Sequence, residues 1–161
     1  MKSRFTLKSY MLILLIIILS SVVLILSYAF FFLDQKVHFG MLLFLPFPIF
    51  ATVWLFFGEL RNKMIKFRFD NDFIIINKFA GFYKDEVYKL AETQGFIISD
   101  LPSNNGNYEY LYIIKDKKKI VKLSEYYHAN YDELKEEIQN MLNYLGREEF
   151  SYIDEFKEMF S

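Results

Sequence analysis

The residue types that catalysis and metal binding require are sparse in this 161-residue chain, and they are not spaced for either task. Its two histidines, His38 and His128, stand in no constellation with a nucleophile or a second metal ligand. Residues 70–72 read Asp-Asn-Asp, as at the start of a calcium-binding loop. Ile75 and Gly81, however, occupy the places of the glycine and the glutamate that such a loop needs. We therefore expect residues 70–72 to form a hairpin turn.

Other motifs for chemistry are missing from the sequence. The carboxylate pairs at 85–86 and 148–149 are neighbours in sequence and so do not face each other on a helix or a strand. There is no nucleotide-binding glycine loop, no zinc-protease motif and no cysteine. We predict that the protein is not an enzyme and has no catalytic residue, cofactor or metal. The net charge of −1 predicts no nucleic-acid partner.

Two basic clusters are candidates for contact with anionic lipid headgroups. Each cation near a bilayer surface contributes about 1 kcal/mol of attraction. As an alternative, the first cluster reflects only the excess of positive charge that is typical of cytoplasmic segments next to a membrane helix, together with the polar face of a strand. The alternative for the second cluster is that it is a solvated hairpin turn. The candidate residues are Arg61, Lys63, Lys66 and Arg68 in the first cluster and Lys117, Lys118 and Lys119 in the second.

The C-terminal tail, residues 147–161, is the candidate site for a protein partner. Apolar side chains recur in it at helical spacing of three to four residues, with acidic residues between them. Such a face must be buried, either against the chain's own sheet or against a partner or a second copy. The candidate contacts are Phe150, Ile153, Phe156 and Phe160.

These polar candidates follow two uncharged apolar runs, residues 11–33 and 41–57. A transmembrane helix needs about 17–25 apolar residues, so we predict a hairpin of two helices, about 11–33 and 37–57. For the first run the alternative is a signal peptide, whose apolar region is shorter and is followed by a cleavage pattern that is not evident here. For the second run, Pro46 and Pro48 leave a re-entrant or interfacial segment as the alternative.

Lysine and arginine placement predicts the orientation of this hairpin. Lys2, Arg4 and Lys8 precede the first run, and the first basic cluster follows the second run. The positive-inside rule then places both termini in the cytoplasm, in a multi-pass protein of the inner (cytoplasmic) membrane.

The region that follows alternates like a set of half-buried strands. We count six of them, at residues 64–69, 73–78, 82–87, 95–99, 108–115 and 119–123. A final amphipathic helix begins near Asn130, which stands three residues before Glu133 as in a capping box. Its apolar stripe runs from Leu134 to Leu145, and Gly146 ends it.

This order of elements resembles bacterial small membrane proteins that carry a pleckstrin-homology-like domain. The resemblance covers roughly residues 60–146 and depends on the paired strands at 108–122 and on the segment Asn130-Tyr131-Asp132-Glu133-Leu134. It implies an α+β protein in which an antiparallel, partly open barrel of about six strands is capped by a C-terminal helix. The domains would be a hairpin at 1–60, the barrel at 61–146 and the tail at 147–161.

We therefore expect a membrane-anchored, non-enzymatic module for protein or lipid interaction. Its partners would be the lipid bilayer and also another membrane protein or a second copy of the chain. The alternative is an accessory subunit of a transporter or envelope complex that acts through its membrane helices.

Overall fold

A computed structural model describes residues 2–32, 44–103 and 106–158. Within them the chain begins with helix α1 (Leu7–Phe32) and helix α2 (Pro46–Trp54), and α2 continues into a π-helical turn, Leu55–Arg61. Two further helices are α3 (Tyr131–Met141) and α4 (Tyr152–Glu158). The strands are β1 (Lys66–Asp70), β2 (Phe73–Asn77), β3 (Asp85–Lys89), β4 (Gly95–Ser103), β5 (Gly106–Lys115), β6 (Lys118–Ser124) and β7 (Tyr144–Glu149).

The described strands form two sheets. Strands β1, β2 and β3 make an antiparallel sheet in sequence order, and the other four pair in the order β6-β5-β4-β7. Strand β7 runs parallel to β4, whereas the remaining neighbours are antiparallel. Six of the strands overlap the alternating segments of the sequence, because a period of two places every second side chain on the buried face. Strand β3, however, begins at Asp85, three residues later than predicted.

One apolar core lies between the two sheets and α3. Phe67 and Ile74 contribute to it from the first sheet, Leu111 and Ile113 from the second, and Leu134 from α3. All five side chains are buried. Burying an aliphatic or aromatic side chain of this size contributes about 1.5–3 kcal/mol, so this core holds the β-rich domain together.

The predicted membrane hairpin is wrong. Among the described residues, only α1 is long and apolar enough to cross a membrane, by its length and composition. Helix α2 has nine residues before the hydrogen bonding changes to the π-helical pattern, and the π-helical turn that follows contains charged Glu59 and Arg61. The predicted outer turn, residues 34–40 with His38, lies outside the described residues.

The predicted six-stranded barrel is also wrong, since the structure has two separate sheets of three and four strands. Alternation identifies strands but does not determine which of them share a sheet. The expected closing helix ends at Met141, and Leu142 already has extended backbone angles. Leu145, expected on the helical stripe, lies in β7 at a bulge in its pairing with β4.

A glycine allows β7 to approach β4. Gly95 has φ +145°, and a Cβ atom there would lie 2.2 Å from the carbonyl oxygen of Asn143. The next amide, that of Phe96, donates to the same oxygen at 2.9 Å. Only glycine accommodates a neighbouring backbone at this distance. The pairing of β7 with β4 therefore gives the chain an extended conformation where the apolar stripe predicted that the helix would continue.

The segment before α1, residues 2–6, is part of the β-rich domain. Ser3 is buried, its amide donates to the Phe67 carbonyl at 2.8 Å, and its hydroxyl accepts from the Phe67 amide at 2.8 Å. Single bridges join Lys2 to Arg68 and Phe5 to His128. Helix α1 therefore starts directly from the domain, without a flexible linker.

Asn130 fastens this segment from the other side. Its Oδ1 accepts from the Arg4 amide at 2.8 Å, and its Nδ2 donates to the Lys2 carbonyl at 3.1 Å. The expected capping bond from this side chain to its own helix is absent. The local sequence has the composition of a cap, but the side chain binds residues 2–6, more than a hundred positions away in sequence.

We expect Asn130→Ala to release residues 2–6. The loss of two hydrogen bonds from a buried amide should cost about 1–3 kcal/mol of unfolding free energy and speed amide hydrogen exchange at Arg4. Hydrogen exchange followed by mass spectrometry in detergent measures this. Asn140→Ala is the matched control, since Asn140 is exposed on the same helix. Equal exchange at Arg4 in both variants would contradict the role of Asn130.

Candidate functional site

Charged side chains are buried where the π-helical turn meets the β-rich domain. We call this group the junction cluster and define it as Glu59, Lys63, Lys122 and Glu155, with the phenols of Tyr110 and Tyr127. Lys63 and Lys122 expose only 8% and 7% of their side chains, and Glu59 and Glu155 expose 19% and 16%. Lysine and glutamate are rarely buried to this extent unless they are paired.

The four charges of the junction cluster are connected in a chain. Lys63 Nζ lies 2.6 Å from Glu59 Oε1 and 2.8 Å from Glu155 Oε1. Lys122 Nζ reaches the same Glu155 oxygen at 2.9 Å. The Tyr127 hydroxyl donates to the other oxygen of Glu59. Two cations therefore face two anions, and the cluster has no net charge.

The ring of Tyr110 completes the cluster. The Nζ atoms of Lys122 and Lys63 lie 4.9 Å and 5.7 Å from its centroid, within the range of cation–π attraction. Phe150 also stacks on the ring of Tyr110, and the two ring centroids are 6.1 Å apart. The buried lysines are thus held by carboxylates and by the face of an aromatic ring.

The electrostatics of the cluster favour its charged state. Burial disfavours the charged form of Lys63, but Glu59, followed by other neighbours that include Glu155, outweighs it and raises the lysine pKa. Burial likewise opposes ionisation of Glu155, yet Lys63 and Lys122 lower its pKa. Burial, then Glu59, raises the pKa of Tyr127. Lys63 remains an ammonium at neutral pH, so it has no free lone pair to act as a base or a nucleophile.

Helix α4 brings Glu155 into the cluster and also contacts α2. The ring of Phe156 lies 5.8 Å from that of Trp54. One short helix thereby contacts the end of α2, Lys63 two residues beyond the π-helical turn, and strand β6. This arrangement fixes elements relative to one another; it does not present a reactive group.

A second apolar cluster surrounds the base of α1. Ile16 of α1 is buried there with Leu60 of the π-helical turn, Met64, Ala80 and Tyr127. Leu12, Ile13 and Phe79 pack against them. The domain therefore covers one face of the lower turns of α1, while Leu7, Tyr10 and Met11 on these turns are exposed.

His128 is buried beside this base and is held by backbone groups. Its Nε2 donates to the Ile65 carbonyl at 2.9 Å, and its Nδ1 accepts from the Ser124 amide at 3.1 Å. Burial lowers its pKa, although the backbone carbonyls of Ile65 and Ser124, the latter 3.0 Å from Nδ1, oppose the shift. Both nitrogens already have partners suited to the neutral ring, so His128 connects β1 with the segment that follows β6. None of the described residues forms a group of three or more side chains suited to a metal ion.

The structure separates the residues predicted to meet lipid. Lys63 is buried in the junction cluster. Lys66 and Arg68 line a cleft of about 190 Å³ together with Lys2. Arg68 is also 3.4 Å from Asp85. Two members of the first basic cluster, Lys66 and Arg68, therefore share one surface with Lys2.

Other predicted residues line a smaller cleft or lie elsewhere. Arg61 and Lys119 border a cleft of about 90 Å³ with Lys78 and Lys122, and Lys119 also pairs with Glu148 at 3.0 Å. Lys117 and Lys118 are exposed at the β5–β6 turn. This turn is about seven residues, or roughly 23 Å of strand, from Tyr108, whose ring lies 5.7 Å from Lys8 at the start of α1.

The tail residues are only partly available to a partner. Phe150 and Phe156 contact Tyr110 and Trp54, whereas Ile153 exposes 70% of its surface. Phe160 lies outside the described residues. A protein partner at this tail remains a prediction.

Sequence reasoning missed most of the junction cluster. Glu59 and Lys63 are four residues apart, a spacing typical of helical ion pairs, and this signal was available. Glu155 and Lys122 are 33 residues apart in sequence, and no local pattern predicts their contact.

Comparison with known proteins gave no relative: no protein-family model, no curated protein and no solved structure matched the chain. The functional conclusion therefore depends on the geometry of this chain alone.

We expect Glu155→Gln to destabilise the junction. The variant keeps the shape of the side chain but leaves two buried ammonium groups with one carboxylate, at a cost of about 2–4 kcal/mol. Denaturant unfolding in detergent, followed through Trp54 fluorescence, measures the change. Asp154→Asn is the matched control because Asp154 is exposed on the same helix and forms a local ion pair with Lys157. The role of Glu155 would be refuted if the two variants unfolded at the same denaturant concentration.

The lowered pKa of His128 predicts that the folded protein loses stability on acidification at pH values higher than those at which carboxylates titrate. The unfolded chain binds a proton near pH 6.5, whereas the folded chain resists it. Stability is therefore fully present above about pH 6.5 and falls as the pH drops below that value. Thermal unfolding at pH 7.5 and 5.5 should show a lower midpoint at pH 5.5. His128→Gln should be less stable at both pH values but show a smaller difference between them; an unchanged difference would exclude His128 as the cause.

Proposed function

We propose that this chain is a membrane-anchored, non-enzymatic module that holds its β-rich domain against the cytoplasmic face of the inner membrane for contact with lipid or protein. The observation that carries the proposal is the direct start of α1 from the folded domain. Residues 2–6 are hydrogen-bonded to β1 and to the segment before α3, and α1 begins at Leu7.

The composition of α1 supports its role as the anchor. It has 26 residues, and its only charge is Lys8 in the second position. Only 11% of the residues in its most apolar 18-residue stretch are buried. The uncharged stretch from Ser9 to its end extends about 36 Å, which exceeds the roughly 30 Å thickness of the hydrocarbon core. So large an exposed apolar surface is unfavourable in water and favourable in lipid.

The distribution of cations supports the cytoplasmic side. Lys2, Arg4 and Lys8 stand at the domain end of α1, whereas none of its last 24 residues is charged. Under the positive-inside rule, the domain end of the anchor faces the cytoplasm. Since residues 2–6 are bonded to the domain, the domain lies on that same side.

The cleft lined by Lys2, Lys66 and Arg68 supports lipid as one contact. Three cations and one carboxylate, Asp85, border it. At a bilayer surface this excess of positive charge attracts anionic headgroups.

Single-cysteine labelling tests the proposal, because the native chain has no cysteine. Glu136→Cys places a thiol on the exposed face of α3. We expect the protein to stay in the membrane pellet after carbonate extraction. A membrane-impermeant maleimide should label it after lysis but not in intact cells.

The same variant in detergent is the control, since full labelling there shows that the thiol is reactive. Extraction into the carbonate supernatant would refute the anchor. Labelling in intact cells would refute the cytoplasmic orientation.

A further inference from the structure

The loop between β2 and β3 carries a large apolar side chain that is exposed to an unusual degree. We call residues 79–83 the aromatic loop. Phe82, near its tip, exposes 86% of its surface, more than any other large apolar side chain of the described residues. Tyr83 beside it exposes 48%. An isolated exposed apolar residue needs no explanation, but the backbone and position of this loop distinguish it.

The backbone of the aromatic loop is held in an unfavourable conformation. Phe79 and Ala80 have φ +54° and +56°, in the left-handed region that costs non-glycine residues about 1 kcal/mol or more. The Ala80 amide donates to the Met64 carbonyl at 2.7 Å, and the Phe82 amide donates to the Phe79 carbonyl at 3.0 Å. The turn is thus fixed to the residues just before β1, and Phe82 projects from a rigid support.

Gly81 is required for this shape. It has φ +97°, and a Cβ atom there would lie within 2.6 Å of the Lys66 side chain. The missing side chain lets Lys66 pass close to the loop. An aromatic tip and a cation therefore occupy adjacent positions on one surface.

The aromatic loop lies at the level where α1 leaves the domain. Phe79 and Ala80 belong to the apolar cluster that contains Ile16 of α1 and Leu60 of the π-helical turn. Ile16 is eight residues beyond Lys8, or about 12 Å along the helix. If the uncharged part of α1 lies in lipid, the loop packed beside it is at the depth of the membrane interface.

Several cations and one carboxylate, Asp85, lie beside the aromatic loop. Lys84 Nζ lies 5.9 Å from the Tyr83 ring. The 190 Å³ cleft with Lys2, Lys66 and Arg68 is bordered by Gly81 of the loop itself. Aromatic rings flanked by lysine and arginine are typical of segments that lie at the boundary between headgroups and acyl chains.

We propose that the aromatic loop inserts into the bilayer that α1 anchors, with Phe82 among the upper acyl chains and the neighbouring cations at the headgroups. This inference rests on the proposed function, since it needs α1 in the membrane. The lipid surface is favoured over a protein occupant because the loop is continuous with the base of α1 and is bordered by cations.

Tryptophan quenching by lipid tests the inference. Trp54 is the only tryptophan, so Phe82→Trp in a Trp54→Phe background reports on the loop alone. The full chain is reconstituted into vesicles of phosphatidylglycerol and phosphatidylethanolamine with bromine atoms near the headgroup end of the acyl chains. We expect Phe82→Trp to lose about half of its emission relative to unbrominated vesicles, as for an interfacial residue.

Two variants in the same background are the controls. Phe73→Trp probes an exposed aromatic position at the opposite end of β2, where 40% of the side chain is accessible; it should not be quenched. Phe31→Trp probes α1, where 75% of the side chain is accessible, and acyl-chain bromine should quench it if α1 is embedded.

The outcomes separate the inference from the proposed function. Quenching at position 31 without quenching at position 82 overturns the inference and leaves the anchor intact. No quenching at either position refutes both. A blue-shifted but unquenched Phe82→Trp spectrum assigns the loop to a protein partner or a second copy, and it overturns the inference. Equal quenching at positions 73 and 82 does so as well, because insertion would then not be specific to the loop.

Discussion

The hydrogen bonds between residues 2–6 and the β-rich domain constrain every other feature of the junction. Each backbone bond of this kind contributes about 1 kcal/mol net, and here they also bury Ser3 and Ser9. The Ser9 hydroxyl donates to the Tyr127 carbonyl at 2.9 Å, so the contact extends into the first turns of α1. Because the helix begins within the bonded segment, its direction is set by the domain and not by a linker.

The junction cluster adds specificity to this attachment. A buried ion pair recovers roughly what its desolvation costs, so it is a poor source of stability. It does, however, penalise every arrangement in which one partner is buried without the other. Glu155 satisfies both Lys63 and Lys122 with a single oxygen. Helix α4 therefore has one favourable position, and in that position Phe156 contacts Trp54 at the end of α2.

Local patterns in the sequence predicted the strands but not their assembly. Six strand positions follow from side-chain alternation, which depends only on neighbours in the chain. The division into two sheets and the pairing of β7 with β4 depend on contacts between distant residues. Leu145 illustrates the limit: its spacing from Leu134 and Ile138 is helical, yet its backbone is extended because Gly95 admits the carbonyl of Asn143.

The candidate site was predictable to a similar degree. Lys66 and Arg68 alternate with buried residues of β1, so their place on an accessible face could be read from the period of the strand. Lys63 precedes the strand and belongs to the same basic run, but it is buried because Glu155 arrives from the far end of the chain. Composition gives the charge of a residue, whereas its environment is set by partners that are remote in sequence.

Rigidity at the base of α1 bears directly on how the domain meets a membrane. Residues 2–6, the π-helical turn and the aromatic loop contact the lower part of α1 or its immediate surroundings. A domain attached at one point would present many faces to the bilayer, and the ordering entropy of any one lipid contact would oppose it. A domain attached at three points has already lost this orientational freedom when the protein folds. In the proposed membrane-anchored arrangement, weak lipid contacts at the cleft of Lys2, Lys66 and Arg68 would act together with the anchor, because each would form at the high effective concentration that the rigid attachment provides.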